Sequence, residues 1–403
     1  MSEDIKQIEG QPESAKRSRR VLLSSLLLVV LIAGSCVFGY EHFYGRFYED
    51  TEDAYLDGDR VQIGSRITGT VVRINVDDGD YVEQGQVLVQ LDPSDKIIAL
   101  EQAEADLATA VRQVRGLFAS VDNYRAQLET RKLQLQQAHS DFNRRRKLAV
   151  SGALSEEAMS HSRDALGEAE NALTSARQQL NSTLALVEGT TIATHPAVQA
   201  ASAGLHQAYI NHARTHLVAP VSGYVAMRNV QPGSRVEPGQ PLMAVVPLDQ
   251  LWISANFKET QMRQMQIGQS VDVIADLYGD EVHYQGRIES LGVGTGGAFS
   301  LLPAQNASGN WIKIVQRVPV RIGLISAELQ QHPLRIGMST QVQVDLRQQG
   351  GEVLATMPHL QARYTTDVYE HLIKEAGLLA AQLIRDNSSG QSVSATTGVA
   401  QVP

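Results

Sequence analysis

Twenty residues are written twice in this chain, 154 positions apart. Residues 69–88, GTVVRINVDDGDYVEQGQVL, and 223–242, GYVAMRNVQPGSRVEPGQPL, align without gaps and agree at ten of twenty positions. The shared pairs are Gly69/Gly223, Val71/Val225, Asn75/Asn229, Val76/Val230, Gly79/Gly233, Val82/Val236, Glu83/Glu237, Gly85/Gly239, Gln86/Gln240 and Leu88/Leu242. In each copy short β-branched runs alternate with turns: Asp78-Gly79 and Pro232-Gly233 first, then Glu83-Gln84-Gly85 and Glu237-Pro238-Gly239. Glycine supplies the positive φ that such turns need. Each copy therefore predicts a small set of strands, and two copies related by a pseudo-twofold axis can close one sandwich. Whatever lies between them must leave that sandwich and return to it.

What lies between is patterned as helix. After LDPSD (91–95), where Pro93 with Ser94 or Asp95 signals a helix start, fifteen positions alternate at spacings of three and four. They run Leu100, Ala103, Leu107, Ala110, Val114, Leu117, Val121, Tyr124, Leu128, Arg131, Leu135, Ala138, Phe142, Arg145, Ala149, and thirteen are apolar. A 3.5-residue period held this long predicts a coiled coil. Gly152 offers a stop, and Ser155 before Glu156 and Glu157 offers a cap with acid in the first turn. A second helix follows with Leu166, Ala169, Leu173, Ala176, Leu180, Thr183 and Val187 in the same rhythm, breaks at Gly189 and Pro196, and resumes from Ala197 to Leu217. The segments sum to an antiparallel hairpin about 80 Å long by the helical rise, with its tip near 150–155.

Val21 to Tyr40 is twenty residues without a charge, long enough as a helix to span roughly 30 Å of hydrocarbon. Lys16, Arg17, Arg19 and Arg20 precede it, and Glu41, Glu49, Asp50, Glu52 and Asp53 follow. The basic side predicts residues 1–20 in the cytoplasm and the rest across the membrane, with Tyr40, Phe43, Tyr44, Phe47 and Tyr48 as an interfacial belt. A cleaved secretory signal and a lipoprotein signal acylated at Cys36 are the rival readings. The run is long for a signal, and Ala33 stands where a lipoprotein signal has Leu.

Other features exclude more than they propose. A net charge of -9 argues against a nucleic-acid surface, and Cys36, the single cysteine, rules out an internal disulfide. Gly292, Gly294 and Gly297 spell GxGxxG, but Leu302-Pro303 stands where the helix of a dinucleotide site would begin, so a glycine-rich loop is expected. His212 and His216 have the i, i+4 spacing of metal ligands on one helix face, without a third ligand in view. No nucleophile and base pair, phosphate loop or metal set is apparent, so neither an enzyme nor a cofactor is expected. Arg144, Arg145, Arg146 and Lys147 beside the tip read as a solvated helix end or a docking patch. Strand-like runs from 248 to 347 (LWISANF, QSVDVIADL, VHYQGRIESL, WIKIVQRVPVRIGL, STQVQVDL) predict an all-β module.

GTVVRINVDDGDYVEQGQVL resembles a half-motif of the biotinyl/lipoyl carrier fold. Carrier domains join their halves through a hairpin bearing a modified lysine, whereas here LDPSDK lacks the Met-Lys pair, and Lys96 is not expected to be modified. A split lipoyl domain holding a long α-hairpin is what periplasmic membrane fusion (adaptor) proteins look like, and TEDAYLDGDRVQIGSRITGTV (51–71) resembles the HlyD/EmrA branch. LLPAQNASGNWIKIVQRVPVRI (301–322) is similar to EmrA-type multidrug adaptors. Arg144, Leu148 and Ser155 fit the family's channel-docking pattern at the tip.

The resemblance implies an α+β chain in eight parts: a cytoplasmic segment (1–20), a transmembrane helix (21–40), a linker and first strand joining the β-barrel (41–65), a lipoyl-like half (66–93), the coiled-coil hairpin (94–218), a second half (219–247), the β-barrel (248–347) and an extension (348–403). The extension carries a helix-like stretch around Val368 to Ile384 and a Ser/Gly/Thr tail composed like a disordered segment. Gly69, Gly79, Gly85, Gly223, Gly233 and Gly239 are the expected turn glycines of the sandwich. The implied setting is the inner membrane of a Gram-negative bacterium, single-pass, with the bulk of the chain in the periplasm. The implied partners are further copies of the chain, an inner-membrane drug transporter of the major facilitator class and a TolC-like outer-membrane channel. The implied function is that of a periplasmic adaptor in a tripartite multidrug efflux pump. Export of aromatic acids or of a protein is the nearest alternative, and a biotinyl or lipoyl carrier subunit a remoter one.

Overall fold

The computed structural model describes residues 14–43, 45–150, 152–299, 315–356, 358, 360 and 362–389. They form two compact units, one of residues 1–61 with 245–364 and one of 62–244 with 365–403. The segment 1–13, most of LLPAQNASGNWIKIVQRVPVRI (301–314) and the tail 390–403 lie outside the described residues.

The first unit begins with α1, Ser14–Phe43. Among the described residues no helix is long and apolar enough to cross a membrane, so the transmembrane helix expected over 21–40 is not established by the fold. A six-stranded closed barrel follows, in the order β1 (Tyr48–Asp57), β10 (Trp252–Lys258), β13 (Arg317–Leu324), β12 (His283–Leu291), β11 (Ser270–Ala275), β14 (Ser339–Asp345). Neighbours are antiparallel throughout, and β1 is held between β10 and β14, nearly 200 and 290 residues later in the chain. Alternation puts Leu56, Ile253, Phe257, Tyr284, Ile288 and Ile322 inside, each 1% exposed or less. A short helix, α5 (Ser326–Gln331), follows β13. Tyr284 buries its ring and donates its hydroxyl to His332 O at 3.0 Å, and burial pushes its phenol up to about 12. The GxGxxG stretch is a loop after β12, where Gly292 N donates to Pro319 O at 2.8 Å.

The second unit is built on two four-stranded sheets. One runs β2 (Val61–Gly64), β9 (Pro241–Val246), β7 (Gly223–Ala226), β4 (Tyr81–Val82); the other runs β6 (His216–Val218), β5 (Val87–Leu91), β3 (Gly69–Ile74), β8 (Arg235–Val236). Shifting every residue of one sheet by 154 reproduces the other. Gly69 pairs with Val236 and Gly223 with Val82. Asn75 N donates to Leu88 O at 2.9 Å, and Asn229 N to Leu242 O at 2.8 Å. Gly79 N reaches Val225 O, and Gly233 N reaches Val71 O. The halves thus hydrogen-bond through each other, so neither sheet exists without both copies.

The hairpin rises between β5 and β6. Asp92 Oδ1 accepts from Ser94 N and Oγ at 3.0 and 2.6 Å and starts α2, Ser94–Val150, a 57-residue helix about 85 Å long. It pairs with α3 (Glu156–Val187) along the heptad seam, where Val121, Leu180 and Val187 are buried with Leu117, Tyr124, Leu128 and Leu184 against them. Gly189 at φ 72 turns the chain, His195 Nδ1 accepts from Ala197 N at 3.2 Å, and Pro196 opens α4, Pro196–Ala213. The helix expected to reach Leu217 stops four residues earlier. His216 to Val218 form β6 instead, because β5 offers them a ladder that the helix does not.

Candidate functional site

The tip is built where α2 ends on a glycine turn. Gly152 sits at φ 73, its N donates to Ala149 O at 3.0 Å and Ala153 N donates to Leu148 O at 3.0 Å, the paired bonds of a Schellman stop. Ser155, extended at φ -70 and ψ 151, accepts from Ala158 N through Oγ at 3.3 Å and starts α3. Its hydroxyl therefore has a structural duty, with its proton left to donate. Arg144 and Leu148 are i, i+4 neighbours on one face of α2. Asp141 pairs with Arg144, whose side chain is 72% exposed, and also with Arg145 Nε at 3.2 Å. Leu148 is 46% and Val150 87% exposed. The fold thus sets Arg144 and Leu148 on one helix face and Ser155 across the turn. The turn presents cations and apolar side chains from α2, with Glu156 and Glu157 entering α3. Ser151 lies outside the described residues.

Four of the six expected turn glycines take the left-handed backbone: Gly79 and Gly233 at φ 92 and 83, Gly85 and Gly239 both at 85. Gly69 and Gly223 do not; they are the first residues of β3 and β7. At Gly69 the constraint is space, because a Cβ would stand 3.1 Å from Leu91 Cδ1.

The spacing of His212 and His216 does not survive folding, since one closes α4 and the other lies in β6. Burial, then the neighbouring His216, holds the His212 imidazole below its usual range. His216 Nδ1 meets Thr215 Oγ1 at 3.1 Å, and its Nε2 meets Gln90 Nε2 at 3.2 Å. Thr215 Oγ1 donates to His212 O at 2.8 Å.

The docking of the extension is legible nowhere in the sequence. α6, His371–Ser388, packs on α2 and α4, and Ala380, Leu379, Leu383 and Ile384 join Leu107, Val111, Val114, Val198 and Leu205 in one core. Before it, Thr366 Oγ1 donates to Pro220 O at 2.8 Å, and Gln84 Nε2 to Asp367 Oδ1 at 3.3 Å. Arg66 lies 3.9 Å over the Tyr369 ring. Tyr209 donates to Glu375 at 2.9 Å, and Arg112 to Asn387 at 2.9 Å. Between this strap and the sandwich is a cavity of about 500 Å³ whose lining includes Ile63, Arg66, Arg214, Leu217, Tyr369 and Leu372.

The same two regions are matched in known proteins. The family described as "EMRA, alpha-helical hairpin domain" matches residues 94–215, and "AAEA-like beta-barrel domain" matches 250–345. The chain is 46% identical over 310 residues to "Multidrug export protein EmrA" of Escherichia coli (strain K12), covering 77% of this chain and 80% of that protein. It is 44% identical to "Probable multidrug resistance protein EmrK" of the same strain, covering 87% and 89%. It is also 44% identical to "Fatty acid resistance protein FarA" of Neisseria gonorrhoeae, covering 86% and 88%. A solved structure described as "Structure of the periplasmic adaptor protein EmrA" covers 74% of this chain and 98% of its own at 19% identity and a TM-score of 0.37. With identity at this level over four fifths or more of its relatives, the chain belongs to the EmrA family of periplasmic adaptor, or membrane fusion, proteins.

Proposed function

We propose that this protein is the periplasmic adaptor of a tripartite multidrug efflux pump, joining an inner-membrane transporter of the major facilitator class to a TolC-like outer-membrane channel. The observation that carries the reading is the hairpin: a 57-residue helix leaves a sandwich that cannot form without its return, and among the described residues its far end holds an exposed turn and two capped helix ends. Such a rod transmits position, and its tip is where a second protein meets it. Arg144 and Leu148 offer that protein a cation and an apolar side chain one helical turn apart, and Ser155 a hydroxyl across the loop. In the first unit, Leu22, Leu23 and Leu26 to Ile32 are each more than half exposed along α1. Consecutive apolar residues exposed on every side of a helix suit a lipid surround, which supports anchoring residues 21–40 in the inner membrane with the residues after 40 periplasmic.

The test is charge reversal at the tip. In a strain lacking the native copy, Arg144→Asp is expected to abolish drug resistance and channel crosslinking while leaving the protein's amount and melting unchanged, and resistance that persists removes the tip assignment. Alkaline phosphatase fused at the C-terminus is expected to be active, and an inactive fusion removes the periplasmic reading. The identity to a fatty acid resistance protein favours one competing cargo. A deletion strain sensitised to long-chain fatty acids but not to drugs would assign the pump to it.

A further inference from the structure

The chain carries a net charge of -9, yet no carboxylate lines the cavity between the C-terminal strap and the sandwich. It lies wholly within the second unit and encloses about 500 Å³, a volume in the range of ligand pockets. Ile63, Leu217, Val218, Val368 and Leu372 give it apolar walls from both the sandwich and the strap. Its ionisable groups, Arg66, Arg214, His216 and His371 with Tyr369, include two fixed cations. Neither cation is neutralised. Among the described residues the Arg214 guanidinium has no partner, and that of Arg66 has only the Tyr369 ring, 3.9 Å from its centroid. The strap does hold carboxylates, but Asp367 accepts from Gln84 and Glu375 from Tyr209.

A half-buried guanidinium such as that of Arg214 gives up hydration beside apolar walls and gains no counter-charge for it. A planar carboxylate is the group that its fork fits best. The backbone adds to the attraction. His371 and Leu372, the first residues of α6, line the cavity; no acidic side chain stands in the first turn, and Glu370 before it makes no capping bond. The partial positive charge of that helix start is open to an anion. The negative pole nearby, the end of α4, is already satisfied: Ile210 O accepts from Arg214 N and His212 O from Thr215 N, both at 3.0 Å. We propose that this cavity binds a small molecule with one carboxylate on an apolar body. The carboxylate is held by Arg66, Arg214 and the start of α6, and the body lies against Ile63, Leu217 and Leu372. Since the walls come from strap and sandwich alike, the ligand clamps the one to the other.

The test is calorimetric titration of the full-length protein in lipid nanodiscs, with empty discs as the blank. The probes are 2-naphthoate, decanoate and the uncharged 2-naphthamide. At least one carboxylate is expected to bind, and the amide at least roughly tenfold more weakly than 2-naphthoate. Binding of neither carboxylate overturns the proposal, as does an amide that binds as well as its acid. Arg214→Gln is expected to bring 2-naphthoate down to the affinity of the amide, to leave the amide unchanged and to melt as the parent does. Undiminished 2-naphthoate binding by that variant overturns the assignment of the charge. Leu372→Trp fills the cavity and is expected to abolish binding of every probe; binding that persists in the folded variant places the ligand elsewhere. 2-Naphthoate is also expected to slow proteolysis of the strap (365–370) in the parent but not in Arg214→Gln, and cleavage at an unchanged rate in the parent removes the clamp. The site stands apart from the adaptor reading, since Arg144→Asp at the tip is expected to leave binding as it is.

Discussion

Gly79 and Gly233 hold equivalent turns at φ 92 and 83, and an L side chain in that region costs about 1–2 kcal/mol. Gly79→Ala and Gly233→Ala are therefore expected to lower stability by that amount each, nearly equally, read as the shift of a urea midpoint. Gly116→Ala is the opposite case, since Gly116 lies in α2 with nothing within 4 Å of an added Cβ. It is expected to raise stability by about 0.5–1 kcal/mol. Tyr284 carries a pH signature. Its folded phenol is pushed up to about 12 by burial, while the unfolded chain ionises near 10. Below pH 10 both states are protonated and the full stability is present. Between about 10 and 12 only the unfolded state ionises, so stability falls as pH rises. Tyr284→Phe is expected to flatten that loss in a melting series, at a constant cost of about 1 kcal/mol for the bond to His332 O. The turn glycines were readable in sequence because a repeat that keeps glycine beside Asp, Pro and Gln names its turns. Gly69 was not, because its reason is the distance to Leu91.

At the scale of the element, the 3.5-residue period announced α2 and α3 and fixed which faces meet, and Ser155 announced its own cap. The end of α4 was misread for a physical reason. His216 to Val218 are compatible with helix, but β5 pairs with them, and a ladder formed with a strand some 130 residues earlier leaves no local trace. The same holds for α6: a helix-like stretch was visible, its partners were not. Leu205, fully buried where α2, α4 and α6 meet, is expected to cost 2–5 kcal/mol as Leu205→Ala. Ending the chain after residue 364 removes α6 and bares part of that core. Limited proteolysis is then expected to cut α4 first, with a lowered melting temperature, and an unchanged digestion pattern would mean that α6 contributes nothing to the hairpin base.

For the whole molecule, the reach of the hairpin is the quantity that function reads. Removing one heptad from α2 and the matching seven residues from α3 preserves the seam and shortens the rod by about 10 Å. Such a protein is expected to melt as the parent does and to lose drug resistance; resistance retained would separate function from reach. The sequence by itself determined that two half-motifs must reunite and that a coiled coil of fixed period stands between them, because repeats and periodicity are local patterns. Only the tertiary structure decided how far the symmetry extends. β2 and β6 are equivalent strands with no shared residue in the alignment, and Ser65 O and Ala219 O accept from Gly239 N and Gly85 N at 3.0 and 2.8 Å. Backbone carbonyls make those bonds whatever side chain they carry, so equivalence there leaves no mark in the letters.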